Sequence, residues 1–124
     1  MGAKEQIKEV IISRLDLYII NRVKELREKK NISQDNLSVR MGFSEKFVGS
    51  VENPTLGAKY NIRHLNLLAK SLDCTLWDLL PKEPFDDDLV KVKIKRSKGI
   101  NKDGSKSKRT QIEIVDIQPL KRNV

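Results

Sequence analysis

Apolar positions along this chain keep the period of a helix as far as Leu80 and the period of a strand beyond Leu89. Leu37 and Met41 lie four apart and share one face of a short helix, and Val48 and Val51 lie three apart and share one face of a second. Gly42 falls between them, at a corner where a left-handed backbone carries no Cβ penalty for glycine. Phe43 follows and suits the inside of that corner. Ser33 and Ser44 are good N-caps, with Gln34 and Asp35 in the first turn of one helix and Glu45 in the other, where negative charge suits the helix dipole. Ser38 stands four residues before Gly42, where only a small side chain lets the helices approach closely.

The same pattern predicts elements on both sides of the corner. Ile7, Val10, Ile11 and Leu15 recur at helical spacing, so Ala3 to Leu15 reads as an amphipathic helix, either an arm against the bundle or a second subunit, or a frayed extension. From Asp16, a candidate N-cap, to Lys30, residues Ile19, Val23 and Leu26 make an inward stripe while Arg22, Lys24, Lys29 and Lys30 face water; Asn31 lies where that helix must end. Asn61 suits the cap of a fourth helix with Ile62, Leu65, Leu68, Ala69 and Leu72 on its buried side. Leu76, Trp77, Leu79 and Leu80 supply a last short helix, stopped by Pro81, with Trp77 expected in the core. PKEPFDDD reads as a linker. Residues 89–95 and 111–117 then alternate with period two, with a slip at Val115 where a β-bulge fits. The span SKGINKDGSKSK between them has the composition of a flexible hairpin tip. A lone hairpin is marginal in water, so its apolar face needs the bundle or a second subunit. These patterns divide the chain into an extension (1–15), a helical domain (16–81), a linker (82–88), a β-hairpin (89–118) and a tail (119–124).

Taken in order, Leu26-Arg27, Ile32-Ser33-Gln34, Leu37, Gly42-Phe43-Ser44, Val48, Val51-Glu52-Asn53, Leu65, Ala69, Leu72 and Leu76-Trp77-Asp78-Leu79-Leu80 resemble the Cro/repressor-type, or XRE-type, helix-turn-helix family from Ile19 to Leu80. The resemblance covers about half the chain and implies a mainly α, five-helix lambda-repressor-like bundle, here flanked by the N-terminal amphipathic helix and the C-terminal hairpin. It also implies that Arg27 pairs with Glu52 as a structural clamp on the second motif helix, and that Gln34 and Asn53 occupy phosphate-touching positions, which capping and turn formation would explain equally well. The chain departs from the family in having Ser38 where alanine is usual, and in a loop, PTLGAKYN, about two residues longer than the family spacing.

Charge changes this picture in its flanks. The net charge is +8, yet residues 32–80 carry five basic and five acidic side chains. Residues 1–31 carry eight and five, and residues 81–124 carry twelve and seven. The excess is concentrated between Lys91 and Arg109, with nine basic side chains and one acidic. A polyanion partner or a solvated lysine-rich loop would each account for it. Cys74 and His64 are the only residues of their kinds, so one chain builds neither a disulfide nor a Cys/His zinc site, and no cofactor is expected. No apolar run approaches the ~18 residues of a membrane span, and MGAKEQIKEV lacks the apolar core of a signal peptide, so a soluble cytoplasmic protein without membrane contact is expected.

With Val48 and Val51 inward, a recognition helix from Glu45 to Glu52 turns Glu45, Lys46, Gly49 and Ser50 outward, with Ser44 and Phe47 at the margins. Lys46 can donate to guanine O6 and N7, Glu45 can accept from a cytosine amino group, Ser50 is permissive, and Phe47 suits a thymine methyl, the core or a subunit contact. Gly49 costs ~1 kcal/mol relative to alanine inside a helix, which a close approach of DNA or simple tolerance would explain. Candidate phosphate contacts are Gln34, Asn53, Lys59, Lys95, Arg96 and Lys98. The expected function is sequence-specific binding of double-stranded DNA in transcriptional regulation, by a homodimer on a two-fold site as the family commonly binds. The alternatives are an antitoxin-like protein whose hairpin grips a protein partner, and an RNA-associated or structural module that uses lysines without reading bases. No nucleophile and base pair, paired carboxylates or phosphate-cradling glycine loop suggests an enzyme.

Overall fold

A computed structural model describes residues 6–100 and 106–120. Among them are four α-helices and one three-stranded antiparallel sheet, in the order β1 (Gln6–Ser13), α1 (Arg14–Lys29), α2 (Gln34–Arg40), α3 (Phe47–Glu52), α4 (Ile62–Leu72), β2 (Leu89–Ile100) and β3 (Lys106–Pro119). Short 3-10 turns lie at Pro54–Leu56 and Leu76–Leu79. The expectation of a mainly α, five-helix bundle with a helical N-terminus is thereby corrected at two places.

Residues 6–13 are a strand and not a helix. Val10 and Ile12 alternate inward while Ile7 and Ile11 remain 64% and 56% exposed on the outer face. Spacing of Ile7, Val10 and Ile11 fits either period, and β-branched residues suit the pleated surface. The decision falls to β2, whose edge pairs with all eight positions from Gln6↔Arg96 to Ser13↔Leu89. Helix α1 accordingly begins at Arg14, with Ser13 as its cap: the Ser13 hydroxyl accepts from the Asp16 amide at 3.1 Å, so Asp16 lies in the first turn.

The fifth helix is only a four-residue 3-10 turn. A reciprocal cap between Thr75 and Asp78 opens it, and Pro81 pushes Leu80 into extended backbone, so one turn is all that fits between. One turn buries one residue well: Leu79 is fully buried, whereas Trp77, expected in the core, is 82% exposed. Ile62, at the first position of α4 beside its Asn61 cap, is also exposed and not buried.

Helices and sheet enclose one core. Leu17, Ile20, Val23, Leu37, Val48, Val51, Leu68 and Leu72 belong to the same buried cluster as Ile12, Val90, Val92 and Ile94 of the sheet. The bundle therefore covers the apolar face of the hairpin. Strand order is β1-β2-β3. In the β2–β3 register Lys93 faces Asp116 and Ile94 faces Ile114, which leaves Val115 as a bulge where the alternation slips. Both arms run further into the Gly, Ser and Lys-rich span than alternation predicts, because ladder hydrogen bonds do not require apolar side chains; the rest of the expected tip, residues 101–105, lies outside the described residues. Among the described residues no helix is long and apolar enough to cross a membrane.

Candidate nucleic-acid interface

The corner between α2 and α3 is held by Ser38. Its hydroxyl donates to the Gln34 carbonyl and accepts from the Val48 amide, both at 2.9 Å, and the residue is fully buried. Gly42 takes φ +86° to turn the chain. Helix α3 starts at Phe47, two residues later than the expected Glu45, because residues 45–46 form a turn closed by the Phe47 amide on the Ser44 carbonyl. Lys46 in the cap position offers no side-chain acceptor, so the hydroxyl of Ser38 serves the amide that a cap residue would have served. Ser33, by contrast, caps α2 locally, accepting from the Asn36 amide at 3.0 Å.

A second tie fixes the other end of α3. Arg27 donates from Nε and Nη2 to the two carboxylate oxygens of Glu52, each at 2.9 Å, and from Nη1 to the Ile32 carbonyl. Gln34 Nε2 donates to Glu52 Oε1 at 3.0 Å. Both charged groups are buried, and the paired fork geometry satisfies the carboxylate. Burial pulls the Arg27 guanidinium down, but the hydrogen bond and charge of Glu52 outweigh it and hold it above its ordinary pKa. Burial and then the charge of Glu52 push the Tyr60 phenol well up, and its hydroxyl is buried without a hydrogen-bond partner.

These ties account for Gly49. A Cβ built there would meet Gln34 Oε1 at 3.1 Å, so the glycine admits the side chain that Gln34 sends to Glu52. Phe47 lies in an aromatic cluster, 4.7 Å from Phe43, 4.9 Å from His64 and 6.1 Å from Tyr60 between ring centres. Ser44, Glu45 and Lys46 are exposed; Gly49 and Ser50 are half-buried, and the Ser50 hydroxyl donates to the Lys46 carbonyl. Asn53 is half-buried, its Oδ1 accepting from the amide and hydroxyl of Thr55, and Lys59 is exposed in the following loop. His64 Nδ1 accepts from the Asn61 amide at 3.0 Å, closing the cap of α4.

The basic stretch divides between the two faces of the sheet. Lys95 stands between Ile7 and Glu113 in register on the outer face, where Lys91 and Lys93 approach Glu9 at 3.8 and 4.0 Å. Acidic residues of β1 and β3 thus offset charge that looked unopposed along the sequence. Arg96 stands between Gln6 and Ile112 on the face toward the helices, with its Nε buried and unpartnered, and Lys98 pairs in register with Thr110. Beyond Arg96 the two strands form a ribbon paired only with each other among the described residues. Its base borders a cleft of 540 Å³ whose walls are Lys24, Gln34, Gly49 and Asn53 on one side and Ser97 and Glu113 on the other. The ribbon therefore leaves the body beside the start of α2 and the end of α3. Lys24 reaches this cleft through a sheet placement that no local pattern announces, whereas Ser38 was marked by its departure from the usual alanine.

A family model described as the Cro/C1-type HTH DNA-binding domain matches residues 22–84. No curated protein matches the chain. Among solved structures, the restriction-modification controller protein C.AhdI from Aeromonas hydrophila is 28% identical, over 51% of this chain and 92% of that one, with a TM-score of 0.45. Hydroxypropylphosphonic acid epoxidase from S. wedmorenis is 14% identical, over 74% of this chain and 64% of that one, with a TM-score of 0.51. The chain thus spans less than two thirds of the epoxidase, and the likeness is one of fold.

Proposed function

The chain belongs to the Cro/C1-type helix-turn-helix DNA-binding domain family, and from that premise we propose that it is a sequence-specific transcriptional regulator that binds double-stranded DNA as a homodimer on a two-fold related site. The observation that carries this reading is the exposed run Ser44-Glu45-Lys46 at the start of a helix whose two ends are tied, through Ser38 and through Glu52, to the elements behind it. A helix so fixed can present side chains to base edges with little loss of freedom on binding. In this reading Lys46 donates to guanine, Glu45 accepts from cytosine, and Ser44, Gly49 and Ser50 line the contact surface. Phe47 supports the helix through its aromatic cluster and touches DNA only at its margin.

Gln34, Asn53 and Lys59 would set the backbone register, and the ribbon carrying Lys95, Arg96 and Lys98 would add charge beside them. Gln34 would act through its main-chain amide at the start of α2, because its side chain is taken by Glu52. Selection of bound sites from random duplexes tests the reading. The wild type should return one two-fold related site, and Lys46→Ala and Glu45→Ala should each alter the preferred base at one position, at ~1–3 kcal/mol. Recovery of the wild-type site by both variants would refute the assignment, and loss of all binding to excess random DNA would refute specificity.

A further inference from the structure

The cleft at the root of the ribbon opens beside the outward face of α3: Gly49 of that face lines it, and so does Asn53 at the helix end. A second opening of 340 Å³ shares Lys24, Glu52, Ile112 and Glu113 with the cleft and carries it on between Asn21 of α1 and Ile114 of β3, so the two form one groove. Its walls differ. On the helical wall Lys24 is half-buried and, among the described residues, has no carboxylate partner. Glu52 beside it is already paired with Arg27. Asn53 spends its Oδ1 on Thr55, which leaves its side-chain nitrogen to donate. On the ribbon wall stand the Ser97 hydroxyl, the apolar side chain of Ile112 and the exposed carboxylate of Glu113.

Position and chemistry together select an occupant. An α-helix is about 10–12 Å across and the major groove about 12 Å wide, so a helix seated there has a phosphate backbone at its flank. The flank of α3 that carries Gly49 and Asn53 is the mouth of the cleft. A free cation and an amide donor facing an apolar side chain suit a sugar-phosphate backbone, with its anionic oxygens on one side and deoxyribose C–H surface on the other. We propose that one strand of the duplex passes through this cleft, a phosphate held by Lys24 and Asn53 and its sugars against Ser97 and Ile112, so that helices and ribbon grip it from both sides. The inference rests on the DNA-binding reading above and adds Lys24 and Ser97 to it. Glu113 works against the contact: its carboxylate repels the phosphate and keeps a grip that reads no bases from outweighing the recognition helix.

Salt titrations of the full chain with selected and random duplexes test this. Lys24→Gln should weaken binding to both by one common factor, about 8-fold at 0.1 M salt, and reduce the slope of log affinity against log salt by ~0.9. Glu113→Gln should strengthen binding to both. Lys29→Gln, which removes the same charge from α1 outside the cleft, should leave the slope unchanged. Circular dichroism melting should show all three variants folded as the wild type. Independently, in a Cys74→Ser background, Ser97→Cys should react with a maleimide in the free protein and be shielded by either duplex. An unchanged slope in Lys24→Gln, a slope that falls equally in Lys29→Gln, weaker binding by Glu113→Gln, or a Ser97→Cys thiol that duplex leaves reactive would overturn the proposal. Shielding by inorganic phosphate alone would give the cleft to a small anion, and shielding that grows with protein concentration without DNA would give it to a second copy; either overturns it. A wild type that binds neither duplex fails the DNA-binding reading as well, whereas binding to both with any of the other results overturns the cleft alone.

Discussion

Ser38 and Glu52 hold the recognition helix from opposite ends by different means. Ser38 is neutral and meets two backbone groups, so its loss would leave the Val48 amide without its acceptor. Glu52 is charged and buried against Arg27, and removing a partner from such a pair strands the other charge. Glu52→Ala should therefore lower unfolding stability by ~3 kcal/mol, against less than ~0.5 kcal/mol for exposed Glu45→Ala, with chemical denaturation as the measurement. Comparable values for the two would mean that the tie contributes nothing. His64 adds a pH dependence at the same place. Burial, and then the charge of Arg63, hold its pKa below the ordinary value, and its Nδ1 must stay unprotonated to accept from the Asn61 amide. The unfolded chain takes up the proton first as pH falls through the ordinary histidine range near 6.5, so stability present above that value is lost down to the folded pKa. The melting temperature should fall between pH 7 and pH 5, and fall less in His64→Gln, whose amide oxygen can still accept. Parallel curves for the two proteins would remove His64 from the account.

At the scale of elements, the ribbon beyond Arg96 can be tested apart from the helices. Its strands run past the last β1 pairing, Gln6↔Arg96, and its base borders the cleft beside Gln34 and Asn53. Deleting Ser97 to Lys108 should weaken binding about equally to operator and random duplex. Each lost phosphate contact should reduce the slope of log affinity against log salt by ~0.9, measured by salt titration. An unchanged slope would leave the ribbon without a DNA contact. How much of this architecture could be read beforehand depended on how local its causes were. The stripe of α1, the left-handed Gly42 and the Ser33 and Asn61 caps each arise from residues within a turn or two, and periodicity and capping chemistry locate them. Spacing sets the start of α3 two residues early because the side chain serving its amide comes from the preceding helix. Trp77 lies outside the core because a single 3-10 turn cannot bury every apolar residue it contains. At the site, the exposed run at residues 44–46 follows from local spacing, but the sharing of Gln34 between Glu52 and the space above Gly49 depends on three elements meeting.

At the scale of the molecule, the flanking strands are structural parts of the helical domain. Ile12, Val90, Val92 and Ile94 are at most 4% exposed and share the core of the helix-turn-helix. Deleting residues 6–13 removes Val10 and Ile12 and uncovers one side of β2. It should cost at least ~3 kcal/mol and lower the melting temperature of the helices and the sheet together, followed by circular dichroism. Helices that melt as in the wild type would show two separate units. The pairing of β1 with β2 also has a consequence in time. Ser13 meets Leu89 and Gln6 meets Arg96, so β1, once synthesised, waits for a partner some eighty residues downstream. At ordinary rates of translation that wait is on the order of ten seconds, far longer than a short helix needs to form. During it Ile7, Val10, Ile11 and Ile12 have no sheet to join, and the nascent chain carries an apolar strand open to a chaperone or to another emerging copy until β2 leaves the ribosome.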